Sequence, residues 1–194
     1  INTPFAEDLA SILKNILSDR RIEINFSQSL SFEAHISTPK GKVVFGMKVR
    51  PAKFSDSAEI VEIWNPYIKK TFVTFNSSEK TQEEVWKLVN DRRNNGHEFW
   101  VAIQDDKIIG FASYDQLRGG VGYRYSMEHT IIVSEKYKSM GVGKNLMGIL
   151  CGHAKKRDIN SMWAGVSALN VPAIKFHEGL DFKIVARLPK VGYK

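Results

Sequence analysis

Apolar positions fall into two rhythms along this chain. Behind Thr3-Pro4, a capping residue followed by a proline suited to the first helical position, Leu9, Ile12, Leu13, Ile16 and Leu17 recur with helical spacing. Two alternating stretches follow, Ile22-Ile24-Phe26 and Leu30-Phe32-Ala34-Ile36, each with the period of a half-buried strand. Pro39-Lys40-Gly41 is a turn signal. Residues 1–46 are too few to hold a core of their own. They read as an appendage, or the remnant of something longer, ahead of a main domain at 47–194.

From Met47 the pattern predicts strand, helix, helix, then strands. Lys48–Arg50 is a short strand ended by Pro51, and Phe54-Ser55 opens a helix through Ile60, Ile63 and Trp64. Thr81-Gln82-Glu83-Glu84 is a capping box for a helix carrying Val85, Trp86, Leu88 and Val89. Phe99–Gln104 and Ile108–Tyr114 are strands joined by the hairpin signal Asp105-Asp106-Lys107. Glu128–Val133 is a strand, and Gly143–Arg157 is a helix with Leu146, Met147, Leu150 and Ala154 on one face. Met162–Val166, Pro172–Glu178 and Phe182–Arg187 read as strand, short helix and final strand. There is no internal repeat. The order predicts an α+β domain around a mixed, mainly antiparallel sheet.

Composition narrows the class. With 43% apolar and 25% charged residues, the 194-residue chain can bury a sizeable core, so wholesale disorder is excluded. Its apolar runs are far too short for a membrane-spanning helix, and no basic stretch followed by an apolar run opens it. Residue 1 is not Met, so the true start is expected to have been removed. Cys151 is the single cysteine, which rules out an intrachain disulfide and a Cys-rich zinc site and fits a cytoplasmic protein. The net charge of +7 suits an anionic partner. The basic residues are dispersed, however, and the one dense cluster, Lys155-Lys156-Arg157, ends a helix where cations complement the dipole. A polyphosphate cofactor therefore fits better than nucleic acid, and neither nucleic acid nor membrane is expected as a partner.

Lys138-Ser139-Met140-Gly141-Val142-Gly143, followed by Lys144, lies between a strand and a long amphipathic helix. A turn there aims backbone N–H groups at one point beside the positive end of the helix, a geometry that binds a pyrophosphate. Glycine is needed because a Cβ would block the phosphate oxygens. The pattern is common by chance, and an ordinary strand-to-helix loop is the plain alternative. It fails the Walker pattern and the dinucleotide fingerprint. Gly119-Gly120-Val121-Gly122 has no helix after it and reads as a loop.

At this turn the chain resembles the GNAT superfamily of N-acetyltransferases, whose signature is [QR]-x-x-G-x-[GA]. Lys138 stands where Gln or Arg is usual and keeps the charge. The similarity is closer to one branch, the phosphinothricin and methionine sulfoximine/sulfone acetyltransferases. It runs from Lys48 to Lys194, about three quarters of the chain. Matching stretches include Val49-Arg50-Pro51-Ala52, Thr74-Phe75, Gly110–Tyr114, Gly122-Tyr123-Arg124, Glu128-His129, Ala164-Gly165, Asn170–Ala173, His177-Glu178 and Leu188–Gly192. The resemblance implies the GNAT fold, an α/β/α sandwich around a twisted sheet. It also implies acetyl-CoA as co-substrate without a metal, a small-molecule amine acceptor and a homodimer. Two departures stand out. The family's last strand, beyond the position of Lys194, is missing, and residues 1–46 have no counterpart.

Only a neutral amine attacks a thioester, so the chemistry needs a base, an oxyanion stabiliser and an acid for the leaving thiolate. Glu128 lies among apolar and aromatic neighbours, where desolvation raises a carboxylate's proton affinity. By residues alone a salt-bridged strand carboxylate is the simpler reading, and the resemblance makes Glu128 the base. It likewise makes His177 the acid, where a helix-surface histidine is the alternative, and leaves His153 and His97 as surface residues. Asn170 begins the short helix as a cap, and the resemblance adds a hydrogen bond to the cofactor. Ile131, Ile132 and Val133 would offer backbone groups to the pantetheine. Arg118 would clamp a substrate α-carboxylate, with Phe75, Val121, Gly122 and Tyr123 shaping the pocket. Three readings compete: an acetyltransferase for free amino acids or their analogues, the same fold acting on another amine such as a peptide N-terminus or arylamine, and a non-catalytic CoA-binding protein. Arg118 opposes a polyamine acceptor, since cation would meet cation.

Overall fold

The structure, a computed structural model, describes residues 46–194. The helix and alternating stretches expected before Gly46 lie outside the described residues. Five strands form one sheet in the order β1-β2-β3-β4-β5: β1 Lys48–Pro51, β2 Phe99–Gln104, β3 Lys107–Gln116, β4 Ser126–Val133 and β5 Ser161–Trp163. The first four pair antiparallel and β5 pairs parallel to β4, so the sheet is mixed and mainly antiparallel as expected. The β2–β3 turn works because Asp105 and Asp106 both take positive φ, 48° and 58°, as a hairpin turn that follows the strand twist requires.

Helices cover both faces. α1 (Ser57–Lys70) and α2 (Gln82–Asn94) set Ile60, Trp64, Ile68, Val85 and Val89 against Phe99, Val101, Phe111 and Ile132. On the other face, α3 (Val142–Lys155) sets Leu146, Met147, Leu150 and Ala154 against Trp100, Ala102, Ala112 and Tyr114. β3 is buried on both sides from Ile108 to Tyr114, which is why its sequence reads as an apolar run rather than an alternation. These layers make the α/β/α sandwich. The Thr81–Glu84 box closes as expected, with Glu84 N–H donating to Thr81 Oγ1 at 3.2 Å and Thr81 N–H to Glu84 Oε2 at 2.9 Å. Arg50 grips Asp56 through two nitrogens at 2.6 and 2.9 Å, tying β1 to the turn that starts α1.

One expected element is absent. Residues 182–187 form no strand. Ile184 and Val185 are exposed, and β5, the strand at that end of the sheet, is three residues long. Alternating apolar residues make a strand only where a neighbouring strand completes their hydrogen bonds. The segment runs on past α4 (Val171–Glu178) towards the α1–α2 connection, where the Lys194 ammonium donates to the Thr71 and Thr74 carbonyls, each at 2.9 Å.

Candidate functional site

β4 is bonded to β3 along its length, but β5 pairs only with Ser126, Met127 and Glu128. Beyond Glu128 the outer edge of β4, through Ile131, Ile132 and Val133, has no strand beside it among the described residues. The bond from Ser134 N–H to the Ile109 carbonyl sets the parity of the ladder, so Ile132 turns its backbone groups to β3 while Ile131 and Val133 turn theirs outward. The Val133 carbonyl is engaged by Tyr67 Oη; the Ile131 groups and the Val133 N–H are available to an extended ligand. The strand leads through Glu135–Tyr137 to the glycine turn, where Ser139 (φ 59°) and Gly141 (φ 84°) are both left-handed. Asn145 N–H makes the first helical bond of α3, to the Gly141 carbonyl at 3.1 Å, and no side chain caps the helix. The N–H groups of Val142, Gly143 and Lys144 therefore leave the helix end unbonded by the helix, with its positive potential behind them. A Cβ on Gly141 would meet nothing within 4 Å, so the space over the turn is open. Such a helix end, with free N–H groups beside a left-handed turn, has the geometry that suits an anion.

Lys138 does not point at that cradle. Its ammonium is 2.5 Å from Glu135 Oε2 and lies over the Tyr67 ring, 4.9 Å from the centroid. Tyr67 Oη sits 2.7 Å from the Val133 carbonyl and 3.1 Å from Glu135 Oε2, so α1 holds the end of β4 through one phenol. Burial works to lower the Lys138 pKa, but the Glu135 and Tyr67 oxygens outweigh it and the pKa is raised. Lys138 braces the turn as a cation. Tyr67 and Glu135 were not marked by the motif, because Tyr67 lies 66 residues from the carbonyl it holds.

Glu128 stands where β4 and β5 part. It is exposed, so the enclosure expected from its apolar neighbours is not provided by the protein alone. Its Oε1 lies only 2.5 Å from where a Cβ on Gly165 would be, so Gly165 makes room for the carboxylate. Across the β3–β4 ladder Glu128 faces Asp115, whose charge is taken up by Arg92 and by His97, 3.0 Å away. His97 and His153 are packing residues, His153 through Tyr114 Oη at 2.7 Å.

His177 is buried on α4 rather than on a helix surface. Its Nδ1 is 2.6 Å from the Ala173 carbonyl and its Nε2 is 3.1 Å from His129 Nε2, the rings stacked at 5.0 Å. Burial lowers both pKa values, that of His129 to about 4 with help from the neighbouring ring. Met127 and His129 face α3 and α4, so the alternation of β4 puts Glu128 on the opposite face of the sheet from His177. Asn170 caps α4, accepting from Ala173 N–H at 3.3 Å, which leaves its amide NH₂ free of the cap. Phe176, beside His177, packs so closely on α3 that a Cβ on Gly143 would come within 3.1 Å of its ring.

The residues expected to contact an acceptor lie on exposed loops. Val121, Gly122 and Tyr123 form a single 3₁₀ turn, and the Arg118 guanidinium sits 5.5 Å from the centroid of the Tyr123 ring. Phe75 rests against the backbone of Gly192.

Comparison with known proteins gives these features a context. The family model described as Acetyltransferase (GNAT) family matches residues 59–182. The L-methionine sulfoximine/L-methionine sulfone acetyltransferase of Salmonella typhimurium is 28% identical over 148 residues, 76% of this chain and 86% of that protein. The phosphinothricin N-acetyltransferase of Streptomyces viridochromogenes is 26% identical, over 76% of this chain and 80% of that protein. A Salmonella typhimurium acetyltransferase solved with acetyl-CoA superposes with a TM-score of 0.74 at 28% identity, covering 77% of this chain and 86% of that one. The slot along β4, the uncapped helix behind the glycine turn and these likenesses agree: the chain belongs to the GNAT acetyltransferase family.

Proposed function

We propose that this chain transfers an acetyl group from acetyl-CoA to the α-amine of a free amino acid or analogue, of the phosphinothricin or methionine sulfoximine/sulfone type, by direct attack. The observation that carries the reading is the separation of β4 from β5 immediately after Glu128. It leaves an extended slot that ends at an uncapped helix, with a carboxylate on one side and a buried imidazole on the other.

The outward-turned backbone groups of Ile131 and Val133, on either side of Ile132, line the pantetheine, while Ser139–Lys144 cradle the pyrophosphate and Lys138 braces their turn. The Asn170 amide is a further donor to the cofactor. Bound there, acetyl-CoA supplies an activated acetyl carbonyl as a thioester. Arg118 pairs with the acceptor's carboxylate while Phe75, Val121, Gly122 and Tyr123 shape its surroundings, holding the amine near Glu128. Glu128 takes the ammonium proton. His177 returns a proton to the departing sulfur from Nε2, and since Nδ1–H is committed to Ala173, the donor form is the imidazolium.

The testing experiment is thiol release from acetyl-CoA with a panel of amino acids, analogues, peptides and arylamines. Turnover confined to free amino acids and analogues supports the reading, and turnover confined to peptides or arylamines overturns it. The cofactor placement has its own check. Gly141→Val puts a branched side chain in the open space over the turn, and at φ 84° a β-branched residue also strains the turn itself, so the comparison is made on protein whose fold is first verified by circular dichroism. Calorimetry should show acetyl-CoA affinity falling about tenfold or more, as loss of one to two charge-assisted hydrogen bonds would give. Unchanged affinity in a folded variant would remove the turn from the site.

A further inference from the structure

The buried His129–His177 pair has a proton arrangement that chemistry restricts to one solution. The Ala173 carbonyl can only accept, so His177 Nδ1, 2.6 Å away, carries a hydrogen. A neutral His177 then has a lone pair at Nε2. His129 Nε2 lies 3.1 Å from it, and two lone pairs would repel there, so His129 Nε2 carries the hydrogen and donates. That leaves His129 Nδ1 as an acceptor, fully buried and without a hydrogen-bond partner. The alternative tautomer of His129 would bury an unpaired N–H instead and lose the bond to His177. Phe182 meets both rings edge-on, at 5.7 and 5.3 Å, and Phe176 meets His177, so neither imidazole is offered another polar neighbour by these aromatic rings.

We infer that His129 is a positioning residue that acts through His177: its Nε2–H fixes the plane of the His177 ring, whose tautomer the Ala173 carbonyl sets, and occupies the His177 Nε2 in the resting enzyme. The inference rests on the reading of His177 as proton donor. It adds a reason for the residue after Glu128 on β4 to be histidine. His129 never touches substrate. It keeps the neutral His177 ring oriented, and the proton His177 passes to the sulfur is balanced by the second one that the attacking nitrogen loses as it becomes an amide. Glutamine can imitate this role, because its side-chain amide places an N–H where the histidine Nε2–H lies, whereas leucine cannot.

The test has two arms on the full chain. Nitrogen-15 NMR of the imidazoles should show His177 protonated at Nδ1 and His129 at Nε2 in the unliganded protein. A His177 protonated at Nε2 overturns the inference. In the kinetic arm, His129→Leu should lower kcat about tenfold, a fraction of a full general-acid contribution, with KM for acetyl-CoA and acceptor within about twofold. His129→Gln should recover most of that loss. Full kcat in His129→Leu overturns the inference, as does equal loss in both variants. If His129→Leu does not fold, the His129→Gln comparison and the wild-type spectrum decide. The spectrum needs no turnover, so a chain inactive toward every acceptor would defeat the functional reading while the His129 assignment is still judged on its own signal.

Discussion

Glu128→Gln should lower kcat by about a hundredfold or more, the usual scale for a lost general base, while acetyl-CoA affinity stays close to that of the unmodified protein. The geometry makes these effects separable. On the proposed placement the cofactor is held by the β4 backbone beyond residue 128 and by the turn at 139–144, and none of those groups is the Glu128 side chain. Glutamine keeps the shape that fits the space left by Gly165 but cannot take a proton from the acceptor ammonium. Raising the pH supplies more neutral amine from solution, so the deficit should shrink as pH rises toward the amine's own pKa. A deficit constant across pH, or full activity at neutral pH, would leave Glu128 a structural carboxylate opposite Asp115.

Arg118→Ala should cost about 2–4 kcal/mol in the use of free amino acids, the worth of a charge-assisted bidentate contact. That corresponds to a fall in kcat/KM of roughly thirty- to a thousandfold, carried mainly by KM. A free amino acid presents its amine beside a carboxylate, and binding the carboxylate fixes the amine relative to Glu128 and the thioester, which is where proximity contributes most. The guanidinium lies 5.5 Å from the centroid of the Tyr123 ring at an exposed position, and among the described residues no carboxylate pairs with it. Arg118→Lys should recover only part of the loss, because an ammonium is a point charge. Amidated acceptors should be poor substrates of the unmodified protein. An amide that turns over as well as the free acid would remove Arg118 from recognition and favour a peptide or arylamine acceptor.

Much of the fold was legible because local rules and burial agree. Phe99–Gln104 was read to the residue, and the Asp105-Asp106 turn and the Thr81–Glu84 box are chemistry confined to a few neighbouring residues. The buried face of α3 followed from its period alone. Residues 182–187 failed for the complementary reason: alternation describes a surface, whereas a strand needs a partner elsewhere in the chain. In the site, the glycine turn, Glu128 and His177 were visible as residue types in context. Their placement on opposite faces of the sheet was not, since it depends on the parity of β4 and on where β5 stops. Tyr67 and Gly165 were illegible as site residues because each is defined by a group far away in sequence, a carbonyl on β4 for one and a carboxylate on β4 for the other. His129 was in view as part of a Glu-His pair, but nothing local says that its partner is 48 residues away.

The contact between Gly143 and Phe176 joins two tasks in one joint. The glycine belongs to the turn that receives the pyrophosphate, and the ring pressed against it sits one residue before His177. A drift of α3 at its first turn must carry α4 with it. A larger residue 143 would press on that ring by a few tenths of an ångström, at the turn proposed to take the pyrophosphate. On the proposed reading the cofactor seat and the proton donor share this one contact, while the exposed loop that carries Arg118 lies apart from it in the chain.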